Sequence, residues 1–254
     1  MDIASRRFAW FYALSQLRLK YRYTSLGILW NFLEPALYLV VLSLVFSVVN
    51  RMAISDYAVF LFAALVPWRY FEKVVNTCME SIVNGEWLLK KMYVSPFTFP
   101  LTRWLIASVE FLCSLLVVFA VLAFLKGVWT IHLVVLPLAI IPWSLLGLGV
   151  GMMCAVLFTF FRDVRPIVQM TLMLAFFSSP ILFKPDLFPD SSLQASIVQW
   201  HPITYFAALF QKPIYMAAWP DAADWIITFT TGLTCLFVGY ALMRRYRGQF
   251  YFYV

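Results

Sequence analysis

Charge is scarce in these 254 residues: 12% are Asp, Glu, Lys or Arg, where an ordinary soluble domain carries about 25%. With 63% apolar residues beside it, that deficit excludes an ordinary water-soluble globular domain and implies a membrane. Histidine is nearly missing too. His132 and His201 are the only two, and no HExxH, GxSxG or Cys-His arrangement accompanies them, so hydrolase chemistry has no basis in the motifs. No GxxxxGK[ST] loop occurs, so any ATP hydrolysis that drives this protein belongs to another chain. Cys78, Cys113, Cys154 and Cys235 show no CxxC spacing. They read as small packing residues, with neither a disulfide framework nor a metal site indicated.

What the chain does have is apolar runs of about 20 residues, the length that crosses a hydrocarbon core. Six spans are predicted, at 28–50, 57–83, 100–125, 132–161, 166–183 and 222–243. The second is the least apolar, because Arg69, Glu72 and Lys73 fall inside it. Backbone groups in lipid must bond one another, and the runs lack period-two alternation, so the spans are helices and the fold class is an all-α integral membrane protein. No compact apolar core with a cleavage site precedes the first span, which is expected to serve as its own insertion signal. With the N-terminus inside, thirteen Lys and Arg residues fall on inner segments and four (Arg51, Lys126, Lys184 and Lys212) on outer ones. That asymmetry places both termini in the cytoplasm, and it accounts for the net charge of +7 without nucleic acid.

Three segments lie outside the spans. Residues 1–24 carry Trp10, Leu14, Leu17 and Tyr21 on one helical stripe and Arg7, Arg18 and Arg22 on another, the pattern of an interfacial helix. Those arginines contact lipid phosphate or receive a substrate that carries a phosphate or pyrophosphate. Residues 84–98 hold a short helix with a basic patch, broken before by Asn84-Gly85 and after by Pro96, suited to the membrane surface or to a partner's groove. Residues 184–221 combine five prolines with apolar clusters, so short helices dipping into or capping the bundle are expected, as an outer gate. In the fourth span Gly147, Gly149 and Gly151 allow close helix approach, either within the subunit or at a dimer seam.

Charges inside spans are costly and point to function or to pairing. Glu34, Lys73 and Glu110 fall at similar depth, about 9 Å from the inner ends of their helices. A Lys73–Glu110 ion pair between adjacent antiparallel helices is predicted, with a polar conduit lining as the functional reading. Most tryptophans fit an aromatic belt. Tyr38 and Phe46 do not, and with Glu34 they are candidate channel-lining residues over whose rings a sugar chain could slide.

Six stretches carry a resemblance. "YRYTSLGILWNFLEPAL" (21–37), "FLFAALVPWRYF" (60–71), "NGEWLLKKMYVSPFTFPL" (84–101), "FFRDVRPIV" (160–168), "SSPILF" (178–183) and "WHPITYFAALFQKPI" (200–214) occur in this order. In this register the chain resembles the permease subunits of ABC exporters for O-antigen, capsular polysaccharide and teichoic acid. The resemblance implies a pair of six-span permeases joined to two ATPase subunits that bind ATP and Mg, with no cofactor on this chain. The cargo it implies is a lipid-linked polysaccharide, carried across the inner membrane. It also implies that Glu86, Trp87, Lys90, Lys91 and Tyr93 belong to the coupling segment that meets the ATPase, and that Arg162, Asp163 and Arg165 form the cytoplasmic turn beside it. The chain departs from the family at His201, where Asn often precedes the proline, and at Gln211 and Lys212, where an Arg often falls. The alternatives are a permease for a drug, haem or lipid, a membrane enzyme acting on lipid-linked sugars, and a channel or scaffold.

Overall fold

Helix α3 is the element around which the others are arranged. Every residue from Tyr57 to Trp68 is buried, which no amphipathic pattern in the sequence announces. The computed structural model describes residues 3–21, 29–91, 94–125, 130–184 and 193–253, and these form helices joined by short turns and irregular links, with no strand among them. In order, the helices are α1 (Ile3–Tyr21), α2 (Trp30–Val49), α3 (Ile54–Met79), α4 (Ser81–Asn84), α5 (Glu86–Lys91), α6 (Thr98–Leu125), α7 (Leu136–Phe160), α8 (Val164–Ser178), α9 (Leu193–Trp200), α10 (Pro202–Gln211), α11 (Ala222–Tyr246) and α12 (Phe250–Tyr253). A 3-10 turn, Ile131–Val135, leads into α7, and a π turn, Lys212–Met216, follows α10.

Four stretches are long and apolar enough to cross a membrane: Phe32–Val49, Thr98–Ala120, Ile131–Phe160 and Ala222–Tyr246. The second and fifth expected spans do not meet that measure. Helix α3 carries Asp56, Arg69, Glu72 and Lys73, and it stops at Met79, where the expected span ran to 83. Helix α8 has 15 residues and ends at Ser178 rather than 183. Its shortness has a physical reason, because Pro180 cannot continue a helix and the chain turns there. The carbonyls freed by that turn are met by side chains: Asn50 Nδ2 and Tyr57 Oη donate to the Leu182 carbonyl at 3.0 and 2.8 Å, and Gln211 Nε2 donates to that of Pro180 at 3.0 Å. Irregular backbone in a membrane bundle is tolerable only when it is satisfied in this way.

Glycines set the closest approaches. A β-carbon on Gly149 would stand 2.4 Å from the α11 backbone at Cys235, and one on Gly239 would stand 2.4 Å from the Gly149 carbonyl oxygen. Gly147 and Gly151 face α3 instead, at Val74 and Cys78. All three α7 glycines are therefore used inside the subunit. Helix α10 plugs the centre: Phe206, Ala207, Leu209 and Phe210 are fully buried, and Trp143 Nε1 donates to the Phe206 carbonyl at 3.1 Å.

Among the described side chains of α1 the buried ones are Ala9 and Ala13, and the helix lies along α6. Trp10, expected on the apolar stripe, is half exposed, because the small alanines let the helices come closer than an aromatic face would.

Candidate functional site

Between α2, α3 and α6 lies a cleft of about 300 Å³. Its charged walls come from successive turns of α3: Arg69, Glu72 and Lys73 recur at the three- and four-residue spacing that keeps side chains on one helix face. Arg69 reaches Glu34 of α2 at 3.1 Å and Glu72 at 3.0 Å, and its guanidinium lies 4.5 Å from the centre of the Tyr38 ring. One turn further along, Lys73 Nζ lies 2.5 Å from Glu110 Oε2, while Lys20 Nζ, in the last turn of α1, pairs with Glu110 Oε1. The carboxylate is covered, at 4% side-chain exposure, whereas Lys20 and Lys73 keep 47% and 37%. The cleft meets this ion triad at Lys73 and Glu110. Asn76, Thr77 and Ser114 add polar groups to the lining, and Asn76 Oδ1 is buried with no hydrogen-bond partner among the described residues.

The structure thus brings Glu34, Tyr38, Lys73 and Glu110 to one cavity, and it leaves Phe46 out. Phe46 packs, half-buried, against the main core. The eight residues from Tyr38 to Phe46 turn the helix roughly 80° past two full turns, enough to point the second ring elsewhere. Sequence reasoning missed Arg69 and Lys20. Arg69 was legible as an ionisable residue inside a span; Lys20 was not, because the docking of α1 on α6 carries no local pattern. Arg18 is exposed on α1, while Arg22, Tyr93 and the Arg7 side chain lie outside the described residues.

A second group gathers at the end of the bundle where α5 sits. Leu88 and Leu89 are buried, Trp87 is 55% exposed, and Lys90 pairs with Glu86 at 2.5 Å, leaving Lys91 exposed. The turn at 161–163 is tied to this region by Arg165, whose guanidinium lies 3.2 Å from Glu80, the residue that precedes α4. Arg162 lies over the Phe158 ring at 5.1 Å, and Asp163 is exposed. Arg165 thus joins the turn to the start of α4, while α5 itself has an apolar underside and a polar, tryptophan-bearing outside.

A third group closes the opposite part of the chain. His201 Nδ1 accepts the Ile203 N–H at 3.2 Å and so caps α10. Burial pushes the His201 imidazole below its ordinary value. Lys212 pairs with Asp221 and Asp224, each at 2.5 Å; burial alone would lower its ammonium, but the two carboxylates outweigh that and hold it above the usual lysine value. A smaller cavity of about 240 Å³ lies between Lys184, Tyr205, Gln211 and Tyr215.

None of these groups joins a nucleophile to a base, and no cluster of three or more His, Cys, Asp or Glu is placed to hold a metal among the described residues. The carboxylates of Glu34 and Glu72 share one arginine rather than flanking a reacting atom.

No protein-family model matches the chain. It is 26% identical over 240 residues to the O-antigen export system permease protein RfbA of Klebsiella pneumoniae, a match covering 92% of this chain and 90% of the relative. The protein of the same name from Myxococcus xanthus is 28% identical over 236 residues, with the same coverage. The polysialic acid transport protein KpsM of Escherichia coli is 24% identical over 238 residues, covering 91% of this chain and 90% of its own length. Along more than nine-tenths of its length the chain is thus similar to permeases of O-antigen export and to a polysialic acid transporter, the resemblance that its six motif stretches carry.

Proposed function

We propose that this chain is the membrane-spanning permease half of an ATP-driven exporter, moving a lipid-linked polysaccharide of O-antigen, capsule or teichoic acid type out of the cytoplasm. The observation that carries the reading is the similarity to relatives named for O-antigen export and polysialic acid transport, which extends over 91–92% of the chain. In this reading α3 and α8 join the four long apolar stretches to make six spans. The charges of α3 are supported there by partners on α1, α2 and α6. Helix α1 lies along the cytoplasmic leaflet of the inner membrane, and both termini are cytoplasmic, as the thirteen-to-four distribution of basic residues favours.

Two copies pair, and each meets an ATPase subunit through α5 and the turn at 161–165. ATP and Mg bind on that partner. Arg7, Arg18 and Arg22 are the residues we assign to the lipid phosphates of the incoming carrier, and the cleft walled by Arg69 and Lys73 receives its polar head. Residues 184–221, with α10 seated in the core, form the outer gate.

Affinity purification of the tagged protein from its native membrane in mild detergent tests this. A Walker-motif ATPase in near-equal amount is the expected companion. Its repeated absence from an otherwise intact complex would reject the exporter reading and favour a channel or a membrane enzyme.

A further inference from the structure

Apart from the main core around α3, the protein has a second apolar core at the α5 end. Leu88 and Leu89 of α5 share it with Phe99 of α6, Val156 of α7, Met243 of α11 and Phe250 of α12. The last of these is the unexpected member. Helix α11 is complete at Tyr246, and nothing about crossing a membrane requires the residues after it. Yet the chain turns back there, with the Gln249 N–H on the Tyr246 carbonyl at 2.9 Å and the Phe252 N–H on that of Gln249 at 3.0 Å. Phe250 is fully buried, while Phe252 is 86% exposed.

Phe160, the last residue of α7, is surrounded by this returning segment. Its ring centre lies 5.4 Å from that of Tyr246, 6.0 Å from that of Phe250 and 4.8 Å from that of Tyr253. The residues that follow Phe160 are the turn at 161–163. The C-terminal helix therefore fills the core that seats α5 and also holds the ring that begins the charged turn. A basic, aromatic C-terminus could serve only to anchor the chain in the lipid interface, and the exposed Phe252 suits that role. The buried Phe250 does not.

We propose that Phe250 is a positioning residue, which locks α5 and the 161–163 turn into one unit so that a push from the partner on either element reaches α7 and α11 together. This rests on the exporter reading for its mechanical meaning, although the packing role stands without it. The test uses the purified permease with its ATPase in lipid vesicles, comparing Phe250→Ala, Phe250→Leu, Phe160→Leu and Phe252→Ala. In Phe250→Ala the ATPase is expected to stay bound and hydrolyse ATP, while cargo exported per ATP falls by about fivefold or more, the lower end of coupling between sites. Phe250→Leu should restore most of it, Phe160→Leu should lie between, and Phe252→Ala should match the wild type. Hydrogen exchange supplies a readout independent of the partner: amides of 86–91 should exchange faster in Phe250→Ala, and those of 203–211 should not. Should Phe250→Ala fail to accumulate, the same two readouts on Phe160→Leu decide. Wild-type export per ATP, or unchanged exchange at 86–91, in the variant so judged would overturn the proposal. Absence of a bound ATPase from the wild type would instead reject the exporter reading, and the exchange comparison would still judge the buttress.

Discussion

Glu110 binds two lysines from two different helices while being almost wholly covered itself, so three elements meet at one carboxylate. Replacing Lys73 by Met and Glu110 by Gln, singly and together, is expected to give non-additive losses of stability, with a coupling of about 0.5–3 kcal/mol. Melting in detergent measures it, and strict additivity would mean that the two groups are solvated separately. His201 makes a different kind of demand, because only its neutral form can accept the Ile203 N–H. Its folded value is depressed. The cap therefore contributes stability above the ordinary imidazole value of about 6.5 and loses it as pH falls through the folded value. The wild type should lose more melting temperature than His201→Asn on going from about pH 7 to about pH 5, since Asn caps a helix equally well without titrating. Equal losses would assign the pH response to other groups. Lys73 and Glu110 were legible in the sequence because charges inside apolar runs stand out. Lys20 was not, since it sits in an ordinary basic helix and its partner is ninety positions away.

Among the elements, α7 and α11 illustrate how little side chain is needed to hold two helices together. Gly149→Ala would bring a methyl to 2.4 Å from the α11 backbone. The helices must part to admit it, at a cost of about 1–3 kcal/mol, typical of overpacking. Gly248→Ala, where nothing lies within 4 Å, is the matching control and should leave the melting temperature unchanged. A Gly149→Ala protein as stable as the wild type would show that this contact is looser than described. The sequence placed these glycines on a close-packing face and left open which neighbour they meet. That choice depends on rotation about the helix axis, and an almost uniformly apolar helix such as α7 has no polar face to reveal it.

For the molecule as a whole, the four long apolar helices were readable because apolar length is a physical requirement of a bilayer. Helix ends were harder to read. Helix α8 stops at Ser178 because Pro180 cannot continue it, a local signal; that the chain can turn there inside the bundle rests on distant groups, Asn50, Tyr57 and Gln211, which satisfy the carbonyls beyond it and leave no local pattern. The same distant help gives α10 its place in the centre, where Phe206 packs on Trp143 and Phe210 on Phe111. This has a consequence in time. A ribosome makes α3, α6 and α7 long before residue 202, and chains acquire structure from the N-terminus as they are made. Until α10 arrives, the early helices surround a hole faced by Trp143 and Phe111. The last fifth of the chain completes what the first four-fifths can only outline, and a nascent chain stalled before Pro202 is a frame waiting for its keystone.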